Sequence, residues 1–135
     1  DGSVHFCSSH QSPWYPGTGS HAETGDGDGA GTTLNFPLPA GSGMEEVGEA
    51  IRGRWMKAME TFRPDLVLVS AGFDSRIGDP LGQFRLTDAD FANLTACTGE
   101  VAERYAEGRL VSLLEGGYHL EGLANAVEAH VTALL

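Results

Sequence analysis

Two side chains of this sequence stand where chemistry is done, an acid and a phenol, each just beyond an apolar run that stops at glycine. Asp74 follows Gly72 in "LVLVSAGFDSRIGDPLG" (66–82), and Tyr118 follows Gly116-Gly117 in "RLVSLLEGGY" (109–118). A carboxylate is expensive to bury, so a strand that delivers one places it at the rim of the core rather than inside. In open α/β sheets that rim, outside the carboxyl ends of the strands, is where ligands sit. The chemistry open to such an acid includes metal ligation, but zinc needs three protein ligands and Asp74 supplies one. His5, His10, His21, His119 and His130 form neither an H-E-x-x-H motif nor any close pair. His5 and His10 read as structural histidines on the first strand. A competing reading makes Asp74 a turn former or helix cap and Tyr118 a half-buried aromatic with its hydroxyl in water.

Other chemistries find no support. "GDGDGAG" (25–31) lacks the lysine of a phosphate loop, and Asp26 and Asp28 would repel the anion. As a calcium loop it lacks the distal glutamate, which leaves a flexible, solvated loop as the expectation. No G-x-S-x-G elbow is present. Cys7 and Cys97 lack CxxC spacing, so they are expected to be buried thiols. Eight Lys and Arg against nineteen Asp and Glu give a formal charge of −11, which disfavours direct nucleic-acid binding and favours cationic partners. No apolar run is long enough to span a bilayer, and a cytoplasmic location is expected.

The elements that must position Asp74 and Tyr118 follow from periodicity. The 135 residues suffice for one ordinary domain. Strands are expected over 3–9, 32–38, 65–71 and 109–115. Between them "HQSPWYPGTGSHAETGDGDGAG" (10–31) reads as a long ordered loop with Trp14 and Tyr15 held between prolines. Met44, Val47, Ile51, Trp55, Ala58, Met59 and Phe62 recur at helical steps and predict one helix over 44–62. Phe91, Leu94, Val101 and Tyr105 predict a second helix, opening at the acidic "TDAD". Leu123, Val127, Val131 and Leu134 predict a third. Apolar strands alternating with amphipathic helices indicate an α/β fold whose parallel sheet is covered on both faces.

Taken in order, "SSHQSPWYPGTG", "DLVLVSAGFDSRIGDPLGQFRLT" and "LVSLLEGGY" resemble the C-terminal half of the histone deacetylase and acetylpolyamine amidohydrolase family, nearest to its class II and bacterial members. The resemblance runs over almost the whole chain. It implies an arginase-like α/β fold with a central parallel sheet flanked by helices, and zinc-dependent hydrolysis of acetylated amines. Residue by residue, it makes Asp74 a zinc ligand and Tyr118 the catalytic hydrogen-bond donor to the substrate carbonyl. It places Tyr15, Leu81, Gly116 and Gly117 along a narrow acyl-lysine tunnel. Ser8 and Ser9 match positions that bind a monovalent cation, potassium or sodium, and the Thr32 carbonyl matches a second such site.

The family also uses a His-His pair as general base and acid and an Asp-x-His segment for the other two zinc ligands, and neither occurs in this sequence. The expectation is therefore that 1–135 form the C-terminal portion of a single deacetylase domain. The full-length protein would remove acyl groups from lysine side chains or polyamines, and the fragment alone would be inactive. The alternatives are a non-catalytic half-domain serving as a binding or subunit surface, and a two-metal hydrolase of the arginase type with Asp79 as the only nearby second carboxylate. Acyl specificity and oligomeric state are not encoded in any motif found.

Overall fold

In the computed structural model, which describes residues 1–135, the apolar runs become strands that pair in parallel. The chain divides into two compact units, Asp1–Ala40 and Gly41–Leu135.

The first unit is built on β1 (Phe6–Gln11) and β2 (Thr33–Leu38), in register from Phe6 opposite Thr33 to Gln11 opposite Leu38. β1 starts later than expected because the Asp1 carboxylate accepts hydrogen bonds from the Ser3 amide (2.9 Å) and hydroxyl (2.8 Å), which draws Ser3 into a turn. The connecting loop is tied back to the strands. The Asn35 side-chain amide donates to the Glu23 carbonyl (3.0 Å), and the Glu23 carboxylate accepts from the Gly19 and Ser20 amides. The segment expected to be a flexible loop is exposed except at Gly29, yet it forms a 3-10 turn at Gly27–Gly29 with Ala30 N–H donating to Gly27 O (3.2 Å), and Gly31 N–H donates to Thr24 O (2.8 Å) across its base.

In the second unit the helical run expected as one element is continuous but uneven. α1 (Met44–Gly48) passes through a π-helical segment (Glu49–Trp55) into α2 (Met56–Phe62). Gly48, just before the π-helical segment, and Gly53, inside it, are both poor helix formers. Arg63 then turns left-handed (φ 52°) ahead of Pro64.

β3 (Val67–Ala71), α3 (Asp88–Tyr105), β4 (Leu110–Leu114) and α4 (Leu120–Leu134) complete the unit. β3 and β4 pair in parallel, Val67 opposite Leu110 through Ala71 opposite Leu114. α3 opens with a capping box: the Asp90 amide donates to Thr87 Oγ1, and Thr87 N–H donates to the Asp90 carboxylate (2.8 Å). One face of the strand pair is buried through Val67 and Ala71. The other is open, with Leu68 65% and Leu113 56% exposed, so cover on both faces is not present within these residues.

α4 departs from the expected stripe. Val131 and Leu134 are exposed, and the helix buries Gly122, Ala126 and His130. The reason is polar. His130 Nδ1 meets Thr95 Oγ1 of α3 at 2.6 Å and Nε2 meets Ser112 Oγ of β4 at 2.8 Å. Because Thr95 Oγ1 donates to Phe91 O (2.7 Å), it accepts from His130, which fixes the Nδ1–H tautomer and leaves Nε2 to accept from Ser112. Cys97 is buried as expected, whereas Cys7 is only half-buried, and neither forms a disulfide.

Candidate functional site

Gly72 and Phe73 carry the chain out of β3 and deliver Asp74 half-buried at the strand's carboxyl end. Its carboxylate lies against glycine backbone. A Cβ on Gly116 would stand 2.8 Å from Oδ2 and 2.9 Å from Cγ, and one on Gly72 would stand 3.2 Å from Oδ1. A Cβ on Gly82 would overlap the Asp74 carbonyl oxygen. Three glycines thus exist to let one acid approach. No Lys, Arg or His side chain forms an ion pair with Asp74. Its pKa is raised, first by burial and further by the neighbouring Asp79 charge, against the lowering pull of its own amide and that of Ser75.

β4 ends close by. Phe73 N–H donates to Gly116 O (2.8 Å), which joins the loop after β3 to the Gly116-Gly117-Tyr118 loop. Gly117 takes φ 136°, and a Cβ there would stand 2.7 Å from Leu123 Cδ1 and 3.2 Å from Phe73 Cβ. The glycine pair before Tyr118 therefore has two separate causes, room for the Asp74 carboxylate and a positive φ under tight packing. Tyr118 itself is 53% exposed, with its ring free to meet a ligand, and Leu81 is likewise exposed at 53%.

Two residues hold this arrangement together, Asp79, which the sequence offered only as a second metal carboxylate, and Arg76, which it did not single out. Asp79 Oδ1 accepts from the Leu81 (2.8 Å) and Gly82 (2.9 Å) amides, and Oδ2 accepts from the Tyr118 amide (2.8 Å). Burial raises the Asp79 pKa, but amides of Tyr118, Gly82, Leu81 and His119 outweigh it and leave the carboxyl below its usual range. Arg76 makes a bidentate pair with Asp88 at the start of α3 (Nε to Oδ1 2.6 Å, Nη2 to Oδ2 2.9 Å). A Cβ on Gly122 would stand 2.9 Å from Arg76 Nη1, so that glycine gives the guanidinium its place beside α4. The Asp-Pro-Leu-Gly turn was the available clue to Asp79, since Asp favours side-chain bonds to amides just downstream. For Arg76, whose partner lies in another element, the sequence held none.

The remaining expected site residues lie in the first unit. Ser8 and Ser9 sit on β1. Ser8 Oγ bonds His10 Nδ1 (2.9 Å), and His10 Nε2 donates to Gly19 O (3.0 Å), so this histidine is satisfied at both nitrogens. The Thr32 carbonyl accepts from Phe6 N–H (2.8 Å), and its hydroxyl donates to Gly29 O (2.8 Å). Tyr15, 92% exposed, lines an open cleft of this unit together with Trp14, Ser8 and His10.

Asp74 fits zinc as one carboxylate ligand with no competing cation, but no three His, Cys, Asp or Glu side chains converge into a metal cluster. Asp79 already accepts amide hydrogen bonds on both oxygens, two on Oδ1 and one on Oδ2. The residues of this chain therefore offer a metal one carboxylate and not a complete ligand set.

Parallel strands joined through a helix, with an acid beyond one strand end and a tyrosine beyond the next, define an α/β protein with both side chains at the strand ends, where such folds bind ligands. Residues 1–134 match the histone deacetylase domain, and the chain belongs to that family. It is 41% identical over 135 residues to "Histone deacetylase 14, chloroplastic" of Arabidopsis thaliana, covering all of this chain and 32% of that protein. It is 45% identical over 112 residues to "Polyamine deacetylase HDAC10" of Homo sapiens, covering 82% of this chain and 16% of that one. Among solved structures, the crystal structure of the HDA15 HD domain superposes with a TM-score of 0.89 at 32% identity, over 97% of this chain and 37% of that one. The fold is thus that of the deacetylase domain. The chain spans about a third of the length of the Arabidopsis relative. No helix is long and apolar enough to cross a membrane.

Proposed function

We propose that these residues form the C-terminal portion of one zinc-dependent deacetylase domain of arginase-like architecture, which removes acetyl or other acyl groups from lysine side chains or polyamines in the cytoplasm. The observation that carries this reading is the juxtaposition of Asp74, without a protein cation, and the Gly116-Gly117-Tyr118 loop packed against it. Asp74 supplies one zinc ligand, and the other two come from residues outside 1–135. Zinc, when bound, supplies the Lewis acidity that polarises an amide carbonyl and activates water. Tyr118 donates its hydroxyl to the carbonyl oxygen, a bond that strengthens as negative charge develops there. Leu81, Gly116 and Gly117 line the approach of the acyl chain. Ser8 and Ser9 belong to one monovalent-cation site, for potassium or sodium, and the Thr32 carbonyl to a second. The charge of −11 suits a cationic amine substrate.

The test is made on the full-length protein: zinc by elemental analysis, and turnover of an acetyl-lysine peptide and an acetylated polyamine before and after chelation. One zinc per chain and chelator-sensitive deacetylation support the reading. A zinc-loaded protein that turns over neither substrate overturns it in favour of a binding surface, and two bound manganese ions would favour the arginase type. The 135-residue chain by itself is expected to bind zinc weakly and to show no amidase activity, since a lone carboxylate cannot supply the affinity of a three-ligand site.

A further inference from the structure

Resting on that reading, we propose that Asp79 is the positioning residue of the site: its single carboxylate fixes the Tyr118 backbone to the turn that supports Asp74. The two oxygens divide the work. Oδ1 takes the Leu81 and Gly82 amides and closes the turn, and Oδ2 takes the Tyr118 amide 2.8 Å away. Gly82, held by Oδ1, packs so closely on the Asp74 carbonyl that no side chain fits between them. Asp74 and Tyr118 are thus referenced to one rigid group.

Tyr118 stands between the packed Gly117 and the His119 cap of α4, and the hydrogen bond on its own amide is the one from Asp79. It follows a glycine at φ 136° and its side chain is half exposed. A phenol on such a segment would sweep a wide arc, and a displacement of about 1 Å at a reacting group can cost roughly 10²-fold in rate. The chemistry of the carboxylate matters as much as its place. Every group it meets is an N–H donor, and only an acid offers acceptors on both sides. An asparagine, whichever way its amide turns, sets an NH2 either against Tyr118 or against Leu81 and Gly82.

The test compares wild type, Asp79→Asn, Tyr118→Phe and the double variant in the full-length zinc-loaded protein, with an acetyl-lysine peptide as substrate. Asp79→Asn is expected to lower kcat about 10²-fold, with KM changed less than about threefold and zinc content unchanged. In the Tyr118→Phe background it is expected to cost nothing further, because it acts through the hydroxyl already removed. Asp79→Asn working at the wild-type rate, or losses that multiply in the double variant, overturns the proposal. An inactive wild type strikes the deacetylase reading instead, and hydrogen exchange on the same preparation then decides about Asp79. The Tyr118 amide should be protected in the wild type and unprotected in Asp79→Asn, with α3 amides unchanged. If Asp79→Asn does not fold, exchange in the unaltered protein serves, and a Tyr118 amide exchanging at the rate of a free peptide overturns the proposal.

Discussion

Two regions of the second unit hold ionisable groups away from bulk water, and they treat them differently. Between α3 and α4, His130 has a partner on each ring nitrogen, Thr95 and Ser112, and its ring packs at 5.7 Å on Phe73. In the loop after β3, Asp74 is half-buried with a raised pKa, no ion pair, and glycine backbone on two sides. A fully bonded group of the first kind holds the structure and has nothing left to offer a ligand. A desolvated acid without a cation is held ready at a cost to the fold. Phe73 belongs to both, its ring in the interior and its amide on Gly116, so the rigid region carries the reactive one.

The sharpest break between the two would come from Asp74→Ala. In the full-length protein it should abolish deacetylation and release zinc, a loss beyond the about 10–100-fold typical of removing a group that only supports a ligand. The same substitution should leave the metal-free protein no less stable, because it removes a disfavoured charge. Elemental analysis, turnover and thermal unfolding of the apo form measure the three effects. An active variant, or one that unfolds much earlier, would make Asp74 a structural turn former.

Tyr118→Phe comes next. Losing one oxyanion donor costs about 10²–10³ in kcat, roughly 2.7–4 kcal/mol. Zinc content and thermal midpoint should hold, because the exposed ring keeps its packing. Near wild-type turnover would remove Tyr118 from the mechanism.

How much of this was open to sequence reading follows the range of the interactions. The parallel strands, and Asp74 and Tyr118 at their ends, came from apolar runs and glycines adjacent in the chain. The α4 helix was legible from its apolar spacing, but not the burial of His130 in place of Val131 and Leu134, because Thr95 and Ser112, which reward it, stand in α3 and β4. Asp79 was weighed as a second metal carboxylate for the same reason. Its identity was plain, but the Tyr118 amide that occupies it lies in the next loop. Gly116 and Gly117 were legible as a place in the motif, and their two causes needed coordinates.

Gly116→Ala tests whether the loop region tolerates even a methyl group. With Cβ 2.8 Å from Asp74 Oδ2, either the acid or the loop must move. Overpacking of this kind costs about 1–3 kcal/mol, and zinc affinity should fall with it. In the interior the counterpart is Thr95→Val, which keeps the shape and leaves the His130 Nδ1–H without an acceptor, at about 1–3 kcal/mol. That change should lower the thermal midpoint while zinc affinity stays put. Equal effects of both variants on metal binding would erase the distinction between the regions.

The smallest expected effect is a pH dependence of stability from His130. Burial lowers its folded pKa below the ordinary value of 6.5, so the folded state favours the neutral ring and the unfolded state takes up the proton first. The contribution is complete above about 6.5 and is lost as pH falls from there through the folded pKa. Asp88, held below the usual carboxylate range first by its hydrogen bond to Arg76, adds its own loss only at more acidic pH. The His5 pKa is also lowered by burial, so its contribution, lost in the same direction as pH falls, must be subtracted. Urea midpoints at about pH 7.5 and about pH 5.5 for wild type and His130→Gln separate the two. The wild type should lose more stability than the variant over that interval, and the difference belongs to His130. Parallel losses in both proteins would mean that the ring is protonated without penalty, its Nε2–H turned toward a Ser112 hydroxyl that has become the acceptor. The α3–α4 interior would then be less rigidly specified than its geometry implies.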